Sequence, residues 1–217
     1  MEEGMHGRWH RGPPGWRHHW GLHEARYTGI PLHIPGVAAA LHIAAAVAAL
    51  ASAYIVFRGY AASRDRGLLA TGSGLLLVAL ASLVESTLYM GVLGPEGIVV
   101  ADGLYVAGYA LILWPGVAAA GEAALALGLI GAAHILGSAA AGVLALALSM
   151  TTTPSVGVAF LILAASHFID SVMTGLGLYT PALAISAALL RIIGLNVLLL
   201  VLLVPAARKV RRGEEET

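Results

Sequence analysis

The chain has 217 residues, 59% of them hydrophobic and only 11% charged, with 12 basic and 12 acidic side chains in balance. A soluble domain carries about 45–50% apolar and about 25% charged residues, so this composition, with a mean hydropathy of +0.84, excludes an ordinary soluble fold and predicts an all-α bundle in a membrane. The neutral balance offers no basic footprint for nucleic acid, and the lack of cysteine excludes disulfides, iron–sulfur clusters and Cys-ligated zinc.

There is no glutamine, one asparagine (Asn196) and one lysine (Lys209). Depletion of thermolabile side chains belongs to the thermophile pattern, and a GC-rich genome gives the same bias.

Residues 1–30 are polar, basic and aromatic, without the short basic region and apolar stretch of a signal peptide. His6, His10, His18, His19 and His23 stand among Trp9, Trp16 and Trp20. Histidine-rich tracts can bind zinc, nickel or copper, but the alternation with tryptophan and arginine fits better a segment lying on the lipid headgroups.

A helix needs about 20 apolar residues to cross the hydrocarbon core. Within residues 31–205 six stretches qualify: Pro35–Phe57, Leu68–Val92, Ile98–Ala120, Ala123–Ser149, Ser155–Leu176 and Pro181–Val204. The breaks carry turn chemistry: Arg58 to Arg66, Gly94-Pro-Glu-Gly, Gly121-Glu122, Thr151-Thr-Thr-Pro154 and Gly177 to Pro181. Pro154 and Pro181 suit the first turn of a helix, and Pro115 predicts a bend near the end of the third. Residues 206–217 form a charged tail.

Strict alternation of six crossings puts both termini on one face. Arg17, Arg26, Arg208, Lys209, Arg211 and Arg212 would lie there, against Arg58, Arg64 and Arg66 on the other. The positive-inside rule then favours cytoplasmic termini in a plasma membrane. Gly137 with Ala141, and Ser138 with Gly142, are small-residue pairs that allow close helix contact, including contact with a second copy of the chain.

The halves resemble each other. Val84-Glu85-Ser86 aligns with Ile169-Asp170-Ser171, Ala101 to Gly108 with Ala187 to Gly194, and His42-Ile43 with His134-Ile135. Three crossings repeated in tandem predict an inverted 3+3 repeat, as in many transporters.

Ionisable groups inside a bilayer cost roughly 2.5–3.5 kcal/mol each on insertion scales and mark function by default. Here they are Glu85, Asp102, His134, His167, Asp170 and Arg191, with His42 nearer one face. Helix position puts His134, His167 and Arg191 at one depth. Asp170 is one turn from His167 on the same face, with Ser171 and Thr174 extending the stripe, and pairs most simply with Arg191. A second cluster, nearer the terminal face, groups His42, Glu85 with Ser82, Ser86 and Tyr89, and Asp102 with Tyr105 and Tyr109. Only His42 offers Glu85 a basic partner there, so a neutral, proton-carrying glutamic acid is expected. His134 and His167 also form a candidate axial pair for a b-type haem, or with Asp170 a divalent-metal site. Packing by hydrogen-bonded histidines is the plainer alternative.

The third helix reads Ala101-Asp102-Gly-Leu-Tyr105-Val-Ala-Gly108-Tyr109. This resembles the Ala-Asp-x-x-Tyr-x-x-Gly-Tyr run of multi-helix membrane sensor modules that precede bacterial and archaeal signalling domains. The resemblance spans nine residues and implies a membrane receiver of a ligand or signal. The chain carries no kinase, cyclase or PAS output domain, so such a receiver would need a separate signalling partner.

Three readings follow. One is a small transporter or ion- and proton-handling protein, the second a haem-binding electron-transfer subunit, and the third a membrane sensor or accessory subunit. No catalytic motif supports an enzyme.

Overall fold

The computed structural model describes the backbone of residues 33–94, 96–114, 134–176, 178 and 180–215. Within these stretches it describes the side chains of 36–94, 96–114, 137–173, 175–176, 178 and 180–204. Among the described residues there are six helices and no strand: α1 (His33–Ser63), α2 (Arg66–Tyr89), α3 (Glu96–Leu113), α4 (His134–Thr151), α5 (Pro154–Leu176) and α6 (Pro181–Glu215). Five contain spans long and apolar enough to cross a membrane, and the apolar stretch described in α4, Gly137–Thr151, is shorter. The N-terminal segment 1–30, the bend at Pro115, the break at Gly121-Glu122 and the expected start of the fourth helix at Ala123 lie outside the described residues.

Local chemistry sets the turns. α1 runs on through Arg58 to Ser63, beyond its expected end, and the turn needs only Arg64 and Asp65. Arg64 takes a left-handed conformation (φ 57°) and its N–H donates to Tyr60 O at 2.7 Å. The Asp65 carboxylate caps α2 by accepting from Gly67 N at 2.8 Å, the role short polar side chains play at helix starts. α2 ends in a Schellman motif. Gly91 (φ 71°) donates to Leu88 O at 2.9 Å and Val92 N to Thr87 O at 3.0 Å, satisfying the last carbonyls. Pro154 and Pro181 are the first residues of α5 and α6, where a missing N–H costs nothing. α6 continues past the expected end at Val204 through the basic tail to Glu215.

Each helix packs on its neighbours in sequence, and α6 closes on α1, so the helices form a ring. The outer surface is apolar, and the apolar core also encloses polar and ionisable groups. Leu50, Leu80, Leu161 and Leu200 point outward, while His42, Ser82, Asp102, His167 and Arg191 point in. Apolar groups outside and ionisable groups inside identify an integral membrane protein with its outer surface against lipid.

Two crossings are tight. A Cβ on Gly108 would lie 2.8 Å from Gly74 O and 3.1 Å from Val78 Cγ2. A Cβ on Gly194 would lie 3.1 Å from Ala159 O and 2.9 Å from Leu163 Cγ. The aligned segments match Gly108 with Gly194. The step from Glu85 to Asp170 also carries Gly74 to Ala159 and Val78 to Leu163. The α2–α3 and α5–α6 pairs thus cross at corresponding places.

The directions of the helices differ from the inverted arrangement the sequence suggests. Along α3, Tyr105 meets the His167 ring at 4.7 Å, and Tyr109, one turn on, meets both His167 at 5.5 Å and Phe160 at 6.3 Å. Rising numbers on α3 meet falling numbers on α5, so these helices are antiparallel. The two-residue turn between α4 and α5 makes that pair antiparallel as well. It follows that α3 and α4 run the same way, and the halves α1–α3 and α4–α6 share one direction.

Candidate functional site

The inward-facing polar groups meet at Arg191. Its side chain is 1% exposed and sits where α6 faces both α5 and α2. One terminal nitrogen, Nη1, donates to Glu85 Oε2 and the other, Nη2, to Asp170 Oδ2. The guanidinium carbon lies 4.7 Å over the Tyr105 ring centroid. This planar donor fork suits Arg191 to holding two carboxylates while stacking on an aromatic face. Its Nε has no hydrogen-bond partner among the described residues.

Glu85 Oε2 gathers contacts from three helices. Besides Arg191 of α6 it accepts from Tyr105 Oη of α3 at 2.7 Å and lies 3.0 Å from His42 Nδ1 of α1. The His42 nitrogen is at ion-pair distance without the alignment of a hydrogen bond. The imidazole stacks on Tyr89 at 5.2 Å and 16°, which fixes its plane. Ser82 Oγ lies 2.9 Å from Tyr105 Oη. With the tyrosine proton directed to Glu85, the single Ser82 proton is shared between Tyr105 Oη and Val78 O, 3.1 Å away. Arg191 is sealed, but the side chains of Glu85 and Asp170 keep 16% and 19% of their surface, so the carboxylates form the reachable edge.

His167 lies beside this network. Its Nε2 is 3.0 Å from Tyr109 Oη, both Tyr105 and Tyr109 pack edge-on against the ring, and the residue is fully buried. Its Nδ1 has no partner among the described residues. His167 is thus hydrogen-bonded through one ring nitrogen and walled by tyrosines. The His134 side chain, the other half of the expected haem or metal pair, lies outside the described residues, as does that of Thr174. Among the described residues no three His, Asp or Glu side chains group as metal ligands. Asp102 accepts from Ser138 Oγ of α4 at 2.9 Å, and a Cβ on Gly137 would lie 2.7 Å from Asp102 Cβ. The small residue thus lets α4 approach the acid.

The expected Asp170–Arg191 pair is present. The separation into two layers is not, because Arg191 joins Glu85 and Asp170 in one network. Glu85 therefore has a guanidinium partner as well as His42. Sequence reasoning placed Tyr105 and Tyr109 with Asp102. It missed Tyr105 as a donor to Glu85 and Tyr109 as the partner of His167, contacts between helices with no signature in spacing.

Chemically, the site is a fixed cation, two carboxylates, an imidazole and a phenol drawn from both halves of the chain. Comparison of the chain with known protein families, curated proteins and solved structures finds no match.

Proposed function

We propose that the protein moves a small solute or ion across a plasma membrane, with the Glu85–Arg191–Asp170 cluster as its coupling centre. The observation that carries this reading is the convergence of Arg191, Tyr105 and His42, from three helices, on Glu85 Oε2. A structural staple needs one cation and one anion. Here a second carboxylate and an imidazole are added, and both carboxylates keep some exposure. Intramembrane ionisable groups of this kind mark ion pathways and proton relays.

The arrangement of the halves supports it. Transporters are commonly built from internal repeats, inverted or parallel, with the binding site at the repeat interface. The halves here align in sequence, cross at corresponding glycines and share one direction. Both contribute to the cluster, His42, Glu85 and Tyr105 from one, Asp170 and Arg191 from the other. We read them as a parallel repeat.

The test is flux in proteoliposomes, with a pH-sensitive dye inside and gradients of amino acids, sugars and inorganic ions applied in turn. The wild-type chain is expected to move protons or solute in at least one gradient. Glu85→Gln and Asp170→Asn should fold, with wild-type helical content, and lose that movement. Unaltered flux in both variants would sink the proposal. No flux in the wild type, together with a co-purifying partner, would favour the receiver reading suggested by Asp102, Tyr105 and Tyr109, all buried in the core.

A further inference from the structure

We propose that the cluster stores one exchangeable proton, seated on the His42–Glu85 pair, and that this proton is the coupling ion. The inference rests on the transport reading above and names the ion that reading leaves open.

Charge balance comes first. The groups in direct contact are Arg191, the two carboxylates on it, and the imidazole on one of those carboxylates. Arginine keeps its proton in proteins. With Glu85 and Asp170 ionised and His42 neutral, these groups sum to one negative charge. A net charge in this mostly buried setting is unfavourable even though the carboxylates keep some exposure. One added proton neutralises the set.

Geometry then selects the seat. His42 Nδ1 lies 3.0 Å from Glu85 Oε2, so a proton placed on the imidazole sits beside the most crowded carboxylate oxygen. Stacking on Tyr89 holds the ring in that plane. His167, the other described buried imidazole, is turned to Tyr109 Oη instead. The groups surrounding the seat are few. α2 offers Glu85 and Tyr89, α3 offers Tyr105, Tyr109 and Asp102, α5 offers His167 and Asp170, and α6 offers Arg191. α4 contributes Ser138, bound to Asp102. The proton arrives from water as hydronium, binds the imidazole nitrogen, and returns to water on the opposite face when the cluster opens there. On arrival an O–H bond of hydronium breaks as the N–H bond forms, and on release the N–H bond breaks as water takes the proton.

The full-length protein labelled with 15N-histidine, in lipid nanodiscs at neutral pH, reports the seat directly. The His42 signal is identified by its loss in His42→Gln. In the wild type both ring nitrogens of His42 are expected to carry protons. Asp170→Asn removes one negative charge without touching His42, and the imidazole is expected to become neutral. Glu85→Gln should do the same and repeats the test if Asp170→Asn does not fold. A neutral His42 in the wild type, or a protonated one in wild type and both variants, overturns the proposal. Flux decides separately. A neutral His42 in a protein that transports sinks only the proton seat, whereas a protonated His42 with no flux sinks the transport reading.

Discussion

A guanidinium kept from water must be matched by anions, and each anion so used depends on it in return. Arg191 holds Glu85 and Asp170 together, so removing it strands two carboxylates. Breaking a buried pair by deleting one partner costs about 3–5 kcal/mol, and Arg191→Ala should lower stability at least that far. This would appear as a fall of the thermal midpoint in detergent, or as failure to fold. Arg191→Lys keeps the charge but not the fork or the stack on Tyr105. Its midpoint should lie between wild type and alanine, and a lysine variant as stable as wild type would show that the bidentate geometry is unimportant. The Asp170–Arg191 half of this site was legible. Two opposite charges at similar depth on helices joined by a short turn leave few other partners. The Glu85 half was not, because depth was counted along each helix alone, which does not say how far one helix is shifted against another. Nothing in the sequence ties residues 106 positions apart.

Helix–helix contacts in a bilayer depend on small residues, since lipid supplies little hydrophobic drive for association. The glycines of α3 separate this effect from mere helix flexibility. Gly108 meets the backbone of Gly74, with 2.8 Å left for a Cβ, whereas nothing lies within 4 Å of a Cβ on Gly103. Gly108→Ala must push α2 and α3 apart and should cost about 1–3 kcal/mol, the usual range for overpacking. Gly103→Ala should cost nothing. Equal midpoints for the two variants would mean the crossing is loose. The aligned repeat shows Gly108 and Gly194 as a pair, but sequence alone could not say what either touched. Helix starts were easier to read, since Pro154 and Pro181 fit only a first turn. Helix ends were harder. Arg58 to Ser63 read as part of a break because of its turn chemistry, yet it stays helical and one left-handed residue after it, Arg64, suffices to turn the chain.

The direction of the halves sets how the molecule lies in the membrane. α1, α3, α4 and α6 run one way and α2 and α5 the other. The turn at Arg64 and the turn at Thr152 then share a face, and the turns after α2 and after α5 share the opposite one. Strict alternation of six helices would instead pair Arg64 with the turn after α5. The same directions place the end of α6 on the face of Arg58, Arg64 and Arg66. Arg208, Lys209, Arg211 and Arg212 then add to those three, where alternation set the groups against each other. By the positive-inside rule this face is expected to be cytoplasmic, with the start of α1 outside. The cysteine-free chain allows a direct check with single substitutions and a membrane-impermeant maleimide on intact cells. Val92→Cys and Leu178→Cys should label, while Ser63→Cys and Thr153→Cys should label only after permeabilisation. If Leu178→Cys instead behaves like Ser63→Cys, and Thr153→Cys like Val92→Cys, the halves are inverted. The charge groups would then oppose each other again, and a parallel repeat could no longer explain why Glu85 and Asp170 reach the same arginine.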